Sequence, residues 1–269
     1  MEGGLSLLRN ARPSLSSASS NIQPIRHSIK AEVQEIRVCT NRTCRRQGSL
    51  QILQTLSALA PPNVSVNSCG CLGRCGAGPN LAALPEDGGG VILVGHCGTP
   101  SRAAQVLVGL LSCGLDSDDA AAKTGLEALA LRKRAENESD MGNLSLAEQL
   151  LSQAIQLKPF GGIHVLYKDR SIARLALGNY AGALGDAREA LRLAPRYPEA
   201  YICQGDAFLA MDQFDSAEKS YLMSLQIDPS LRRSKSFKQV TLVKLMGTTG
   251  STLMKFIKGK VKILPRPKL

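Results

Sequence analysis

Hydrophobic and polar positions follow two different periods along this chain, and the change falls near residue 116. Before it, short apolar runs alternate with helical ones. IRVC at 36–39 reads as a short strand, and a loop follows. SLQILQTLSAL at 49–59 has the apolar spacing of a helix, ended by Pro61, Pro62 and Asn63. VSVNSC at 64–69 alternates as a second strand, and a glycine-rich loop comes next. LAAL and VILVGH (91–96) read as two more strands. SRAAQVLVGLLSC at 101–113 closes the region as a helix, with Ser101 as N-cap behind Pro100.

Past the polar linker DSDD (116–119) the pattern is helical and repeats. LKP, LAP and IDP end at Pro159, Pro195 and Pro229, at intervals of 36 and 34. Gly142, Gly178 and Asp212 stand 17 residues before these prolines; Ala147, Ala183 and Ala217 stand 12 before; Ala154, Ala190 and Ser224 stand five before. The loop FGGIH (160–164) accounts for the two extra residues of the longer interval. A 34-residue period with small residues at fixed places implies pairs of antiparallel helices packed closely through Ala and Gly. Over about 125–230, and best in YKDRSIARLALGNYAGALGDAREALRLAP, the chain resembles tetratricopeptide repeat (TPR) proteins. That resemblance implies a groove for a peptide or a protein client. Members that clamp the terminal carboxylate of chaperones carry Lys and Asn at set groove positions. The equivalents here are Arg132, Glu136, Asp169, Glu199 and Cys203, one basic and three acidic residues, so docking of chaperone tails is not expected.

The first region has the order βαβ then ββα, the layout of an α/β thioredoxin-like domain. Five of the eight cysteines fall within 39–75, a local cluster that suits a metal or redox site better than a disulfide scaffold. Cys39 and Cys44 follow the first strand and Cys71 and Cys75 the second. Side by side, the carboxyl ends of these strands would bring two thiol pairs to one edge. Two thiolates per iron are what a 2Fe–2S cluster requires. Glycines of SCGCLGRCGAGPN (Gly70, Gly73, Gly76 and Gly78) would let backbone N–H groups approach the sulfurs, with Arg74 between two ligands and Arg42, Arg45 and Arg46 around Cys44.

VCTNRTCRRQGS followed by CLGRCGAGPNLAALP resembles the thioredoxin-like 2Fe–2S ferredoxin family over about 36–112. The resemblance implies Cys39, Cys44, Cys71 and Cys75 as cluster ligands, with Gly73, Arg74 and Gly76 lining the cofactor, and leaves Cys69 over. The 26 residues between Cys44 and Cys71 imply a trimmed helix and set the chain apart from the respiratory dehydrogenase members. Three alternatives stay open: zinc in the same four thiolates, a thiol oxidoreductase using Cys69 and Cys71, and a fold kept without its cluster. Cys97 and Cys113 sit beside apolar segments and read as buried small hydrophobes, and His96 as a hydrogen-bonded structural residue. No catalytic constellation emerges elsewhere in the chain, so at most electron transfer is expected.

Charge and termini complete the organisation. The first thirty residues hold seven Ser, four Arg or Lys and one acidic residue, a composition that reads residues 1–33 as a transit peptide, for plastid before mitochondrion. Residues 34–115 then form the ferredoxin-like domain, 116–232 three TPR repeats, and 233–269 a basic extension. Of the net charge of +11, all comes from 231–269, which holds eleven Lys or Arg and no acid. SLRRSKSFKQVTLVKLM (230–246) is expected to continue as a solvating helix. The extension suits an anionic membrane surface or an acidic partner, and its two phenylalanines make nucleic-acid stacking thin. Taken together, the sequence predicts a 2Fe–2S electron-transfer or redox-sensing adaptor that docks a client in its repeat groove, with an electron donor or acceptor protein as second partner and assembly of a photosynthetic complex as setting. The alternative is a non-redox scaffold with a structural zinc.

Overall fold

The computed structural model describes residues 33–86, 89–111 and 118–233. The segment read as a transit peptide, Cys113, and the basic extension beyond Arg233 lie outside the described residues, except that Val33 opens the first strand.

Among the described residues there is one four-stranded sheet, in the N-terminal part of the chain. Its strands are β1 (Val33–Cys39), β2 (Ser65–Cys69), β3 (Leu81–Pro85) and β4 (Ile92–Val94), in the order β2-β1-β3-β4. β1 is central and buries Val33, Ile36, Val38 and Cys39. It runs parallel to β2, with Cys39 in register with Cys69, and antiparallel to β3. A parallel pair needs a crossover, and α2 (Ser49–Leu59) supplies it. Ile52, Leu56 and Leu59 of α2, at i, i+4 and i+7, are buried against the sheet core.

Two local readings need correction. The stretch after β1 is not all loop: Arg42–Arg46 form a short helix, α1. The Asn41 carboxamide caps it, accepting from the Arg42 N–H at 2.6 Å. Ser101 is not an N-cap: α3 spans Pro100–Leu111, and the Thr99 hydroxyl accepts from the Arg102 N–H at 3.2 Å. Pro100 takes the first helical position, where a missing N–H costs nothing.

The helical region forms three hairpins: α4 (Asp118–Asp140) with α5 (Leu144–Gln156), α6 (Ile163–Ala176) with α7 (Tyr180–Leu193), and α8 (Pro198–Ala210) with α9 (Phe214–Ile227). Small residues at the repeat positions allow close approach. Ala147, Ala183, Ala217, Ala154, Ala190 and Ser224 are all buried. The residues 17 before each proline share a backbone need. Gly142, Gly178 and Asp212 have φ of 86°, 82° and 60°, the left-handed turn that ends the first helix of a hairpin. Each turn closes through the next residue, with Asn143, Asn179 and Gln213 N–H groups donating to the carbonyls of Glu138, Arg174 and Phe208 at 2.8–2.9 Å.

The described residues belong to one compact unit. Ala122 and Leu129 of α4 enter the same buried cluster as Ile36, Leu56 and Leu107. The FGGIH loop presses on the end of α2. A Cβ at Gly161 would strike the Leu59 carbonyl oxygen, so only glycine lets these backbones meet. Beyond α9, Pro229–Arg233 is a 3-10 turn, and the rest of the expected solvating helix lies outside the described residues.

Candidate functional sites

One edge of the sheet gathers thiols. Cys39 ends β1, Cys44 is buried in α1, and Cys71 and Cys75 are exposed on the loop after β2. Cys71 Sγ and Cys75 Sγ are 3.6 Å apart. The Cys39 thiol is within hydrogen-bonding reach of the Cys44 and Cys71 thiols, which links all four in a row. Burial opposes ionisation of Cys39, but N–H groups of Asn41 and Leu72 and the two neighbouring thiols outweigh it and lower its pKa. Burial raises Cys44, helped by Cys39, and the Cys71 thiol raises Cys75.

The loop glycines do unequal work. The Gly73 N–H points to Cys71 Sγ at 3.4 Å. A Cβ at Gly78 would come within 2.8 Å of Cys44 Sγ, so that glycine lets the loop cross the buried thiol. Around Gly70 and Gly76 there is open space. Asn80, which sequence reasoning missed, ties the parts together: its buried amide donates to the Arg74 carbonyl at 2.7 Å and reaches Cys44 Sγ at 3.8 Å. Arg42, Arg45 and Arg46 are exposed and line an open cleft with Thr40 and Asn41. Cys97 lies in the core as expected, and the His96 N–H donates to the Ala77 carbonyl at 2.6 Å. Among the described residues, no group of three or more His, Cys, Asp or Glu closes around a single metal-ion position.

The second candidate site lies where the first helices of the hairpins meet. Arg132 of α4 reaches Asp169 of α6, Nε to Oδ2, at 2.6 Å. The Lys168 ammonium binds the other oxygen of the same carboxylate. Glu136 touches Arg132 at 3.5 Å and is exposed. His164, also on α6, stacks edge-on against Tyr197 with ring centres 5.1 Å apart, and its Nδ1 is buried without a hydrogen-bond partner. The Cys203 Sγ of α8 is 4.0 Å from the Lys168 carbonyl. Burial opposes the charge on Asp169, yet Lys168 and Arg132 together hold its carboxyl below the usual range. Burial lowers His164, and the charges of Arg132 and Lys168 add to that. Sequence reasoning picked out Arg132, Glu136, Asp169 and Cys203 but missed Lys168, whose only sign was its place beside Asp169 in YKDR.

No family model matches the chain. It is 38% identical over 84 residues to the "Protein STIP1 homolog" of Dictyostelium discoideum, covering 31% of this chain and 14% of that protein. It is 36% identical over 89 residues to an "Hsp70-Hsp90 organising protein" of Plasmodium falciparum, covering 33% of this chain and 34% of that one. To "Heat shock protein STI1" of Saccharomyces cerevisiae it is 33% identical over 89 residues, 15% of that protein. The chain thus spans about a third or less of the length of these relatives. Among solved structures, "First TPR of Spaghetti (RPAP3) bound to HSP90 peptide SRMEEVD" has a TM-score of 0.41 at 22% identity, covering 45% of this chain and 92% of that one.

The chain carries a TPR array of mostly helical build behind a small four-stranded sheet. The expected electron-transfer or redox-sensing adaptor does not stand. The relatives it matches include an Hsp70-Hsp90 organising protein and heat shock protein STI1, whose names carry no redox role. The setting in photosynthetic assembly and the electron-partner protein fall with it. The thiol oxidoreductase gains no support: burial, and the neighbouring Cys39 charge, raise the Cys69 thiol rather than activate it.

Proposed function

We propose that this protein is an adaptor of the co-chaperone class, whose repeat array docks a peptide segment of Hsp70 or Hsp90. The observation that supports it is the identity of 36–38% with an Hsp70-Hsp90 organising protein and a STIP1 homolog, over stretches of 84–89 residues. The Arg132, Lys168 and Asp169 cluster on the first helices is polar and half-buried, the kind of surface that orients a peptide without forming a closed pocket. Surface plasmon resonance with purified full-length Hsp70 and Hsp90 tests the reading. Saturable binding of either chaperone is expected. Absence of binding to both would remove the chaperones as partners.

A second reading concerns the thiol row, and its support is local geometry. Two thiolates on one tetrahedral metal, with bonds of about 2.3 Å, stand about 3.8 Å apart. The Cys71 and Cys75 sulfurs are 3.6 Å apart, and Gly73 already donates to one of them. Cys39, Cys44, Cys71 and Cys75 therefore fit a metal-ligand set, with a 2Fe–2S cluster first and zinc second, and the strand order around them suits a thioredoxin-like scaffold. The group would tie α1, β1 and the loop after β2 together. Iron, sulfide and zinc content of anaerobically purified protein tests this. Two irons and two sulfides per chain are expected on 2Fe–2S binding, and metal-free protein would remove it. The serine-rich segment before residue 34 would direct the protein to a plastid, or alternatively a mitochondrion, which fusion of that segment to a fluorescent protein would test.

A further inference from the structure

The two cations at the meeting of the first helices are already committed. Arg132 and Lys168 bind opposite oxygens of the Asp169 carboxylate, and the three side chains are only 20%, 13% and 14% exposed. A carboxylate arriving from a partner would need the same donors. It would compete against an anion fixed to the same chain at a high effective concentration. It would also approach Asp169 itself, where two carboxylates sharing a half-buried space repel. Glu136 on α4 adds a further negative group beside Arg132.

We infer that Asp169 acts as the groove's own carboxylate, so that the array recognises an internal-type peptide segment and gains nothing from a free C-terminal acid. The inference rests on peptide docking by this face and specifies its ligand. Side chains and backbone of the segment supply the binding, and the terminal carboxylate is dispensable. Replacing Asp169 by Asn would free Arg132 and Lys168 and create a preference for the acid.

The experiment compares SRMEEVD with a free terminal acid against the same peptide ending in an amide, by fluorescence anisotropy on the full chain. Wild type is expected to bind both forms within two-fold. D169N is expected to bind the acid at least ten-fold more tightly than the amide, or about 1.4 kcal/mol. R132Q, which leaves Asp169 and Lys168 paired, is expected to change acid binding by less than two-fold. A ten-fold preference for the acid in wild type would overturn the inference. So would an unchanged acid-to-amide ratio in D169N, or a ten-fold loss in R132Q. Acid binding by D169N with neither form bound by wild type would also overturn it, because wild type would then be no receptor for an acid-free segment, while the chaperone reading is decided separately by the full-length proteins. Absence of binding by every variant overturns the inference.

Discussion

The repeat array and the sheet domain treat their polar groups in opposite ways. In the array, charges that leave water find charges of the other sign. The Asp186 carboxylate of α7, 5% exposed, takes Arg170 at 2.7 Å and Arg174 at 3.0 Å, and Arg174 also holds Glu148 of α5 at 2.7 Å. Arg170 reaches Ser152 as well, so one network fastens α5, α6 and α7. At the thiol edge the sulfurs meet one another and neutral N–H donors from Gly73 and Asn80 rather than opposite charges, and Cys71 and Cys75 face solvent. The array's polar network is part of what holds it folded. The thiol row leaves the Cys71 and Cys75 sulfurs accessible, which is what a ligand set needs and a structural core does not.

The sharpest way to break this contrast is Asp186→Ala. It would leave Arg170 and Arg174 without their shared carboxylate, and removing one partner from a buried pair costs about 3–5 kcal/mol. Urea denaturation followed by circular dichroism should show a loss near that size. A loss under about 1 kcal/mol would mean the network behaves as surface pairing and the contrast is empty.

A smaller effect should appear with pH. Burial, with Arg132 and Lys168 nearby, keeps His164 neutral in the folded array, whereas in the unfolded chain it takes a proton near its ordinary value of 6.5. The folded form therefore binds fewer protons. Its stabilising contribution is complete above the unfolded value and declines as pH falls below it. Asp169, also lowered, acts in the same direction but only below the ordinary carboxylate range, so the loss between about pH 6.5 and 4.5 belongs to His164. Replacement of His164 by Gln should flatten the stability–pH curve in that window. An unaltered slope would remove His164 as its source.

The array was legible in the sequence because a repeat states the same packing need several times. The small residues 12 and five before each proline, five alanines and Ser224, all proved buried, and the residues 17 before all adopt the left-handed turn. Asp212 shows the rule is conformational rather than compositional. In the sheet domain the strands and α2 were readable from alternation and spacing, while α1 was not, because five residues of RTCRR carry no apolar period. Of the candidate sites, the cysteine pairs were visible as spacing. Asn80 was not, since its role depends on a fold-back from β3 to α1. The capture of both cations by Asp169 was equally hidden, because the α4–α6 contact joins Arg132 and Asp169, 37 apart in sequence. The reading of function went astray by weighting cysteines over the repeat, which is where the similarity to known proteins lies.

Two glycines of one hairpin sharpen the conformational point. Gly178 has positive φ and nothing within 4 Å of the place a Cβ would take, so Gly178→Ala carries a purely backbone cost of about 1 kcal/mol. Gly185 lies in the middle of α7, also with open space, and Gly185→Ala should stabilise by about 0.5–1 kcal/mol. Thermal melts of the two variants should shift in opposite directions. A common sign would mean that side-chain space, rather than backbone conformation, governs these positions.

The smallest expected effect tests the thiol side of the comparison. Cys71 and Cys75 are exposed, and the loop around them rests on Asn80 and on backbone bonds such as Ala77 N–H to the Arg74 carbonyl at 3.0 Å. In metal-free protein, replacing both by Ser should change stability by less than about 0.5 kcal/mol, as for surface sites away from core or network. If the row holds a metal, protein purified with it bound should behave differently, because a group that binds only the folded form adds stability that grows with its affinity. The double Ser variant would lose that increment, and wild type stripped by a chelator would lose the same amount. Equal melting of all these forms would leave the thiol row without a ligand to hold. A large loss in the metal-free variant would instead mean that Cys71 and Cys75 pack the domain, and the two regions would no longer differ in what their polar groups are for.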